Sequence, residues 1–152
     1  IVTSEMSVSA VGDLLYGIVV LLIVHPPIVT SLLYLFFTVV GGIIVVSFSI
    51  ILNSLTFYFK NSTDLANTLN MAVVNFGTYP DGIFDGIAKV LLLTIIPVGW
   101  AVYIPLSVIV EFNLGLFCSV ILFTIFMVVL ANILFKNGLK RYSSSNLMSA
   151  RI

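Results

Sequence analysis

The residues able to do chemistry are few and scattered: six Lys and Arg, six Asp and Glu, one His and one Cys in 152 residues. Covalent or acid–base catalysis needs a nucleophile, a base and an orienting group brought together, and the chain offers no such set. It has no Walker-type phosphate loop, GxSxG elbow, Cys/His cluster or dinucleotide fingerprint. His25 has no Cys or carboxylate near it with which to hold a metal. Cys118 lies within an apolar run, where a small packing residue is the simpler reading than a redox group. The chain is therefore expected to carry no cofactor and no ATPase site. The polar groups that remain gather between Asn61 and Lys89. If a helix starts at Pro80, then Asp81, Asp85 and Lys89, at four-residue intervals, share one face and an Asp85 to Lys89 ion pair can form. Two readings stay open. One is a solvated helix end with Lys89 snorkelling to lipid headgroups. The other is a polar track at the inner mouth of a pathway.

The elements that must position these groups follow from composition. The chain is 61% hydrophobic and 8% charged, with a mean hydropathy of +1.25, whereas a soluble domain is about one quarter charged. A helix crosses the hydrocarbon with roughly 20 apolar residues. Uncharged stretches of that size lie between Asp13 and Lys60, Lys89 and Glu111, and Glu111 and Lys136. The first has room for two crossings joined by a turn at His25, Pro26 and Pro27. The expectation is an all-α, polytopic transmembrane bundle forming a single domain. Its four spans run over about 11–29, 31–59, 80–110 and 114–136, with an amphipathic helix over 62–78 at the cytoplasmic side and a tail over 137–152. Lys60, Lys89, Lys136, Lys140, Arg141 and Arg151 then fall on one side, and the turns at His25–Pro27 and Glu111–Asn113 carry no Lys or Arg. The positive-inside rule makes both termini cytoplasmic. Zero net charge gives no electrostatic basis for binding nucleic acid.

Local signals refine this. Gly41 and Gly42 stand side by side in the second span, above Ser47, Ser49 and Ser54; they read either as a close helix contact or as a flexible point. In the amphipathic segment Leu65, Leu69, Ala72, Val73 and Phe76 recur at helical spacing, and Ser62 or Thr63 is placed to cap it ahead of Asp64. The sequon at Asn61 falls on the cytoplasmic side and is discarded. Pro97 and Pro105 interrupt the third span and either kink it passively or joint it. The fourth span is almost continuous Leu, Ile, Val and Phe with Asn132 as the exception able to matter in a proton or solute path, and Gly138 is placed as its stop. No Asp, Glu, Lys or Arg lies deep in any span, where proton-coupled carriers place one, so uphill transport would need energy from another molecule. The chain starts at Ile1 without a basic, then apolar, leader, which reads as a piece lacking its amino-terminal part.

The run NFGTYPDGIFDGIAKVLLLTIIPVGWAVYIP, from Asn75 to Pro105, and FKNGLKRYSSSN after the fourth span resemble the permease subunits of ABC-2 type exporters. The likeness is to the six-span bacterial branch in which two similar permeases accompany a separate ATP-binding protein. The matching positions are Asn75, Phe76, Tyr79 and Pro80, then Ile95, Ile96, Pro97 and Val98, then Tyr103 and Pro105, then Gly138 to Tyr142. The resemblance implies spans three to six of six, residues 1–13 as the trailing edge of the inner loop, and a place in the bacterial plasma membrane. Expected partners are an ATP-binding subunit, a second permease and the lipid bilayer. Asn75, Tyr79, Pro80, Asp85, Lys89, Pro97 and Pro105 become the candidates for gating or coupling. The rivals are a non-transporting membrane anchor, which has no need of a jointed span, and an intramembrane enzyme, for which the spans supply no catalytic set.

Overall fold

A computed structural model describes residues 8–59 and 62–149. Lys60 and Arg151, counted above as topological charges, and Asn61 of the sequon lie outside the described residues. Every regular element among the described residues is helical, and the chain divides into two units between Leu35 and Phe36.

In the first unit α1 (Val8–Val24) is followed by the opening turns of α2 (Ile28–Ser54). The first helix ends short of the expected Val29, which belongs to α2. The cause is chemical, because Pro26 and Pro27 have no N–H to continue the ladder. His25 closes α1 in the left-handed region, with φ 45°, and its N–H still donates to the Leu21 carbonyl at 3.2 Å. Pro27 then opens α2 by accepting from the Ser31 N–H at 3.0 Å. A Cβ on Gly17 would stand 3.2 Å from the Tyr34 hydroxyl, so the two helices meet closely at a residue without a side chain.

The second unit holds the rest of α2, a 3-10 turn (Leu55–Phe57), α3 (Thr63–Thr78), a 3-10 turn (Asp81–Ile83), α4 (Ile87–Thr94), a π-helical turn (Gly99–Tyr103), α5 (Ile104–Val110) and α6 (Leu114–Ser149). Its core joins Phe48 and Leu52 of α2, Ala66 and Val73 of α3, Leu92 of α4, Val98 ahead of the π turn, and Met127 of α6. Ile44, Val108 and Val120 are likewise sealed. Two helices are long and apolar enough to cross a membrane, Ile28–Phe57 and Leu114–Lys140. At about 1.5 Å per residue their 30 and 27 residues exceed the roughly 30 Å of hydrocarbon. Val11–Val24 and Gly99–Val110 are shorter apolar helices.

Four expectations change here. No helix begins at Pro80: only the 3-10 turn forms, and α4 waits until after Gly86, whose φ of 57° interrupts the helical path. Asp81, Asp85 and Lys89 therefore share no helical face, and the stacking on which an Asp85 to Lys89 ion pair depends is missing. The helix does not stop at Gly138, which lacks the positive φ of a left-handed cap. Gly138 instead gives α6 a gap for the Phe57 ring, whose Cγ would lie 3.0 Å from a Cβ there. On α3 the buried positions are Ala66 and Val73, with Leu69 and Phe76 half-buried, while Leu65 is exposed. Finally, Ser62 occupies the N-cap position without capping; its hydroxyl donates back to the Phe59 carbonyl at 2.9 Å.

Candidate functional site

The centre of the second unit is the jointed segment from α4 to α5. As α4 ends, the N–H groups of Ile95 and Ile96 both donate to the Leu91 carbonyl, at 2.9 and 3.0 Å. The Val98 N–H then folds back on the Ile96 carbonyl at 2.8 Å, making a tight turn around buried Pro97. Proline interrupts a helix because it has no amide hydrogen and its ring crowds the preceding turn. Beyond the break the chain winds as a π turn, with the Ile104 N–H reaching the Gly99 carbonyl. It returns to α-helix at Ile104, with Pro105 in the first turn of α5, the place where proline is tolerated. Two disruptions sequence reading assigned to one kinked span thus act differently: Pro97 breaks the helix, and Pro105 begins one.

Each proline also withdraws the α-helical donor from the carbonyl four residues back. Pro105 has no N–H for the Ala101 carbonyl, and Gly41 of α2 lies against that oxygen, so closely that a Cβ on Gly41 would be 2.6 Å from it. Gly42 faces open space. The glycine pair is therefore a contact at its first member rather than a flexible point. Pro80, likewise, has no N–H for the Phe76 carbonyl at the end of α3. There the Tyr103 hydroxyl donates to Phe76 at 2.6 Å and reaches the Tyr79 carbonyl at 3.2 Å. Gly77 fits beside Val102, where an added Cβ would lie 3.7 Å from the Val102 Cγ2, and the Phe76 and Phe84 rings meet edge to face at 5.4 Å. On the far side of the π turn Trp100 stacks on Phe123 of α6 at 4.6 Å and 13°. A polar tie fixes α3 to α2, with the Ser49 hydroxyl 2.7 Å from Asn70 Oδ1.

The sequence-derived candidates divide accordingly. Pro97 and Pro105 are buried in the joint, and the Tyr79 carbonyl and Pro80 form the α3 end of the Tyr103 contact. Asn75, Asp85 and Lys89 are exposed, and no contact draws them together. Tyr103 and Gly41 are the residues that sequence reasoning missed as site residues. Tyr103 stands in the Y-x-P motif, two residues before Pro105, and that spacing was the available signal. Asn132 is satisfied by its own helix, its amide donating to the Val128 carbonyl at 3.0 Å. It borders a groove of about 190 Å³ with Ser47, Ile50 and Phe135. A larger recess of about 430 Å³, which shares Ile50 and Phe135 with it, is lined by Ser49, Asn53 and Thr56. Among the described residues no group of three His, Cys, Asp or Glu gathers.

The described chain thus holds two helices long and apolar enough to cross a membrane, with a proline-jointed segment between them. Residues 1–146 match the family model for the ABC-2 family transporter protein, and the chain belongs to that family. Searches of curated proteins and of solved structures return no significant match. Family membership gives the chain a membrane location and a permease role, and implies partnership with an ATP-binding subunit in general terms.

Proposed function

We propose that this chain is the membrane-spanning subunit of an exporter that is driven by a separate ATPase and forms its translocation path with a second permease. The observation that carries the reading is the buried joint at Pro97 and Pro105, wound through a π turn. Irregular backbone at membrane depth survives where surrounding protein or a cavity satisfies it, and π turns recur at functional sites. In this reading α1, α2, the jointed segment and α6 make four passes in a bacterial plasma membrane. Both ends and α3 lie on the cytoplasmic side. Dimerisation of the ATPase presses on that side, and the segment from Tyr79 through Pro97 to Pro105 reorients toward the outside. The chain contributes no ATPase site of its own. An anchor that only held a partner at the membrane would gain nothing from the joint.

The test is co-purification with an ATP-binding subunit, followed by ATPase assays in lipid. Complex formation should stimulate hydrolysis, and Pro97→Ala, which lets the helix run on, should reduce that stimulation. Unchanged stimulation at equal expression would remove Pro97 from the mechanism. Single cysteines placed in the His25–Pro27 and Glu111–Asn113 turns should react with an impermeant maleimide from outside intact cells. Labelling only after lysis would overturn the four-pass orientation.

A further inference from the structure

The contact between Tyr103 and the end of α3 ties a side chain of the joint to the closing carbonyls of another helix. Carbonyls in the last turn of a helix have no helical donor and take one from elsewhere. At the end of α3 the donor due to Phe76 would be residue 80, and proline cannot supply it. The Tyr79 N–H turns back to the Phe76 carbonyl at 3.3 Å, and the Tyr103 hydroxyl adds a second, shorter donor at 2.6 Å, crossing 27 residues of sequence to reach Phe76 and 24 to reach Tyr79. One phenolic proton thus serves two carbonyls, and a phenylalanine of the same shape could serve neither. Tyr103 is also the last residue of the π turn, adjoining α5. Its backbone lies in the joint while its side chain holds the helix that precedes the joint. Links to other elements are fixed separately: α3 to α2 by Ser49 and Asn70, and the π turn to α6 by the stack of Trp100 on Phe123.

We propose that Tyr103 is a positioning residue whose hydroxyl latches the end of α3 to the jointed segment, so that displacement of α3 is handed to Gly99–Val110. This rests on the ATP-driven permease reading. Gly77 and Val102 pack beside the latch, but apolar contact alone allows sliding along the helix, whereas a hydrogen bond to a given carbonyl fixes register.

The test uses the complex with its ATP-binding subunit in lipid nanodiscs, in a Cys118→Ser background. Nitroxide labels are placed in pairs: Thr68→Cys on α3 with Leu122→Cys on α6, and Leu106→Cys on α5 with Leu122→Cys. All three positions are exposed. Distances are measured without nucleotide and with ADP and vanadate. In the native complex both pairs should shift on trapping. In Tyr103→Phe the α3 pair should still shift, while the α5 pair keeps its nucleotide-free distance. Val102→Ala, which removes packing and spares the hydroxyl, should behave as the native complex does. Retained shifts of both pairs in Tyr103→Phe would overturn the latch, as would loss of the α5 shift in Val102→Ala. Failure of Tyr103→Phe to assemble would overturn it too, since the hydroxyl would then be a folding requirement and not a separable link. If neither pair shifts in the native complex, the ATP-driven reading itself falls, a result distinct from failure of the latch alone.

Discussion

Replacing Gly41 by alanine, with Gly42 as its control, measures how tightly α2 is held to the joint. The added Cβ at Gly41 would lie 2.6 Å from the Ala101 carbonyl oxygen and 3.6 Å from its carbonyl carbon. Carbon atoms approach such oxygens at about 3.3–3.6 Å even in favourable C–H···O contacts, so the backbones must separate by about 0.7–1.0 Å. The obstructing atom is backbone and cannot swing aside as a side chain would. Forced overpacking of this kind costs about 1–3 kcal/mol. A helix also gains up to about 1 kcal/mol when glycine becomes alanine, which confuses a single substitution. Gly42→Ala shares that gain and meets nothing within 4 Å, so the difference between the two variants isolates the clash. Thermal unfolding in detergent should place Gly41→Ala below Gly42→Ala. At about 2–4 °C per kcal/mol for a chain of this size, the gap should be about 2–12 °C. Equal midpoints would refute the close approach of α2 to Ala101.

Two double-mutant cycles probe other contacts of the second unit. Gly138→Val should destabilise by about 1–3 kcal/mol, because a side chain there overlaps the Phe57 ring. Adding Phe57→Ala should recover part of the loss, and strict additivity in the double-mutant cycle would refute the contact. For Trp100 and Phe123, stacked at 4.6 Å, a cycle of alanine replacements followed by unfolding in detergent should return a coupling of about 0.5–1.5 kcal/mol beyond lost area. No coupling would show that the π turn is not anchored to α6 through this pair.

Composition and charge spacing were enough to read an apolar helical chain, because hydrophobic length and the absence of charge are one-dimensional properties. The turn at His25, Pro26 and Pro27 was legible for the same reason, since two successive prolines end a helix wherever they stand. So was interruption of the stretch over 80–110 by Pro97, and so was the family, carried by the order of short motifs from Asn75 to Tyr142. The sequence could not decide what the glycines were for. Gly41 and Gly42 are chemically identical, and only the approach of Ala101 separates the contact from the open position. Gly138 resembles a helix stop until Phe57 is seen lying in its gap. The four-residue spacing of Asp81, Asp85 and Lys89 promised a stripe that Gly86 breaks by its backbone angle. Prolines announce which carbonyls lose a helical donor, but what lies against those carbonyls comes from distant turns, the Gly41 backbone packed on Ala101 and the Tyr103 hydroxyl donating to Phe76. Those pairings depend on where helices far apart in the chain come to lie, and tertiary structure alone decides them.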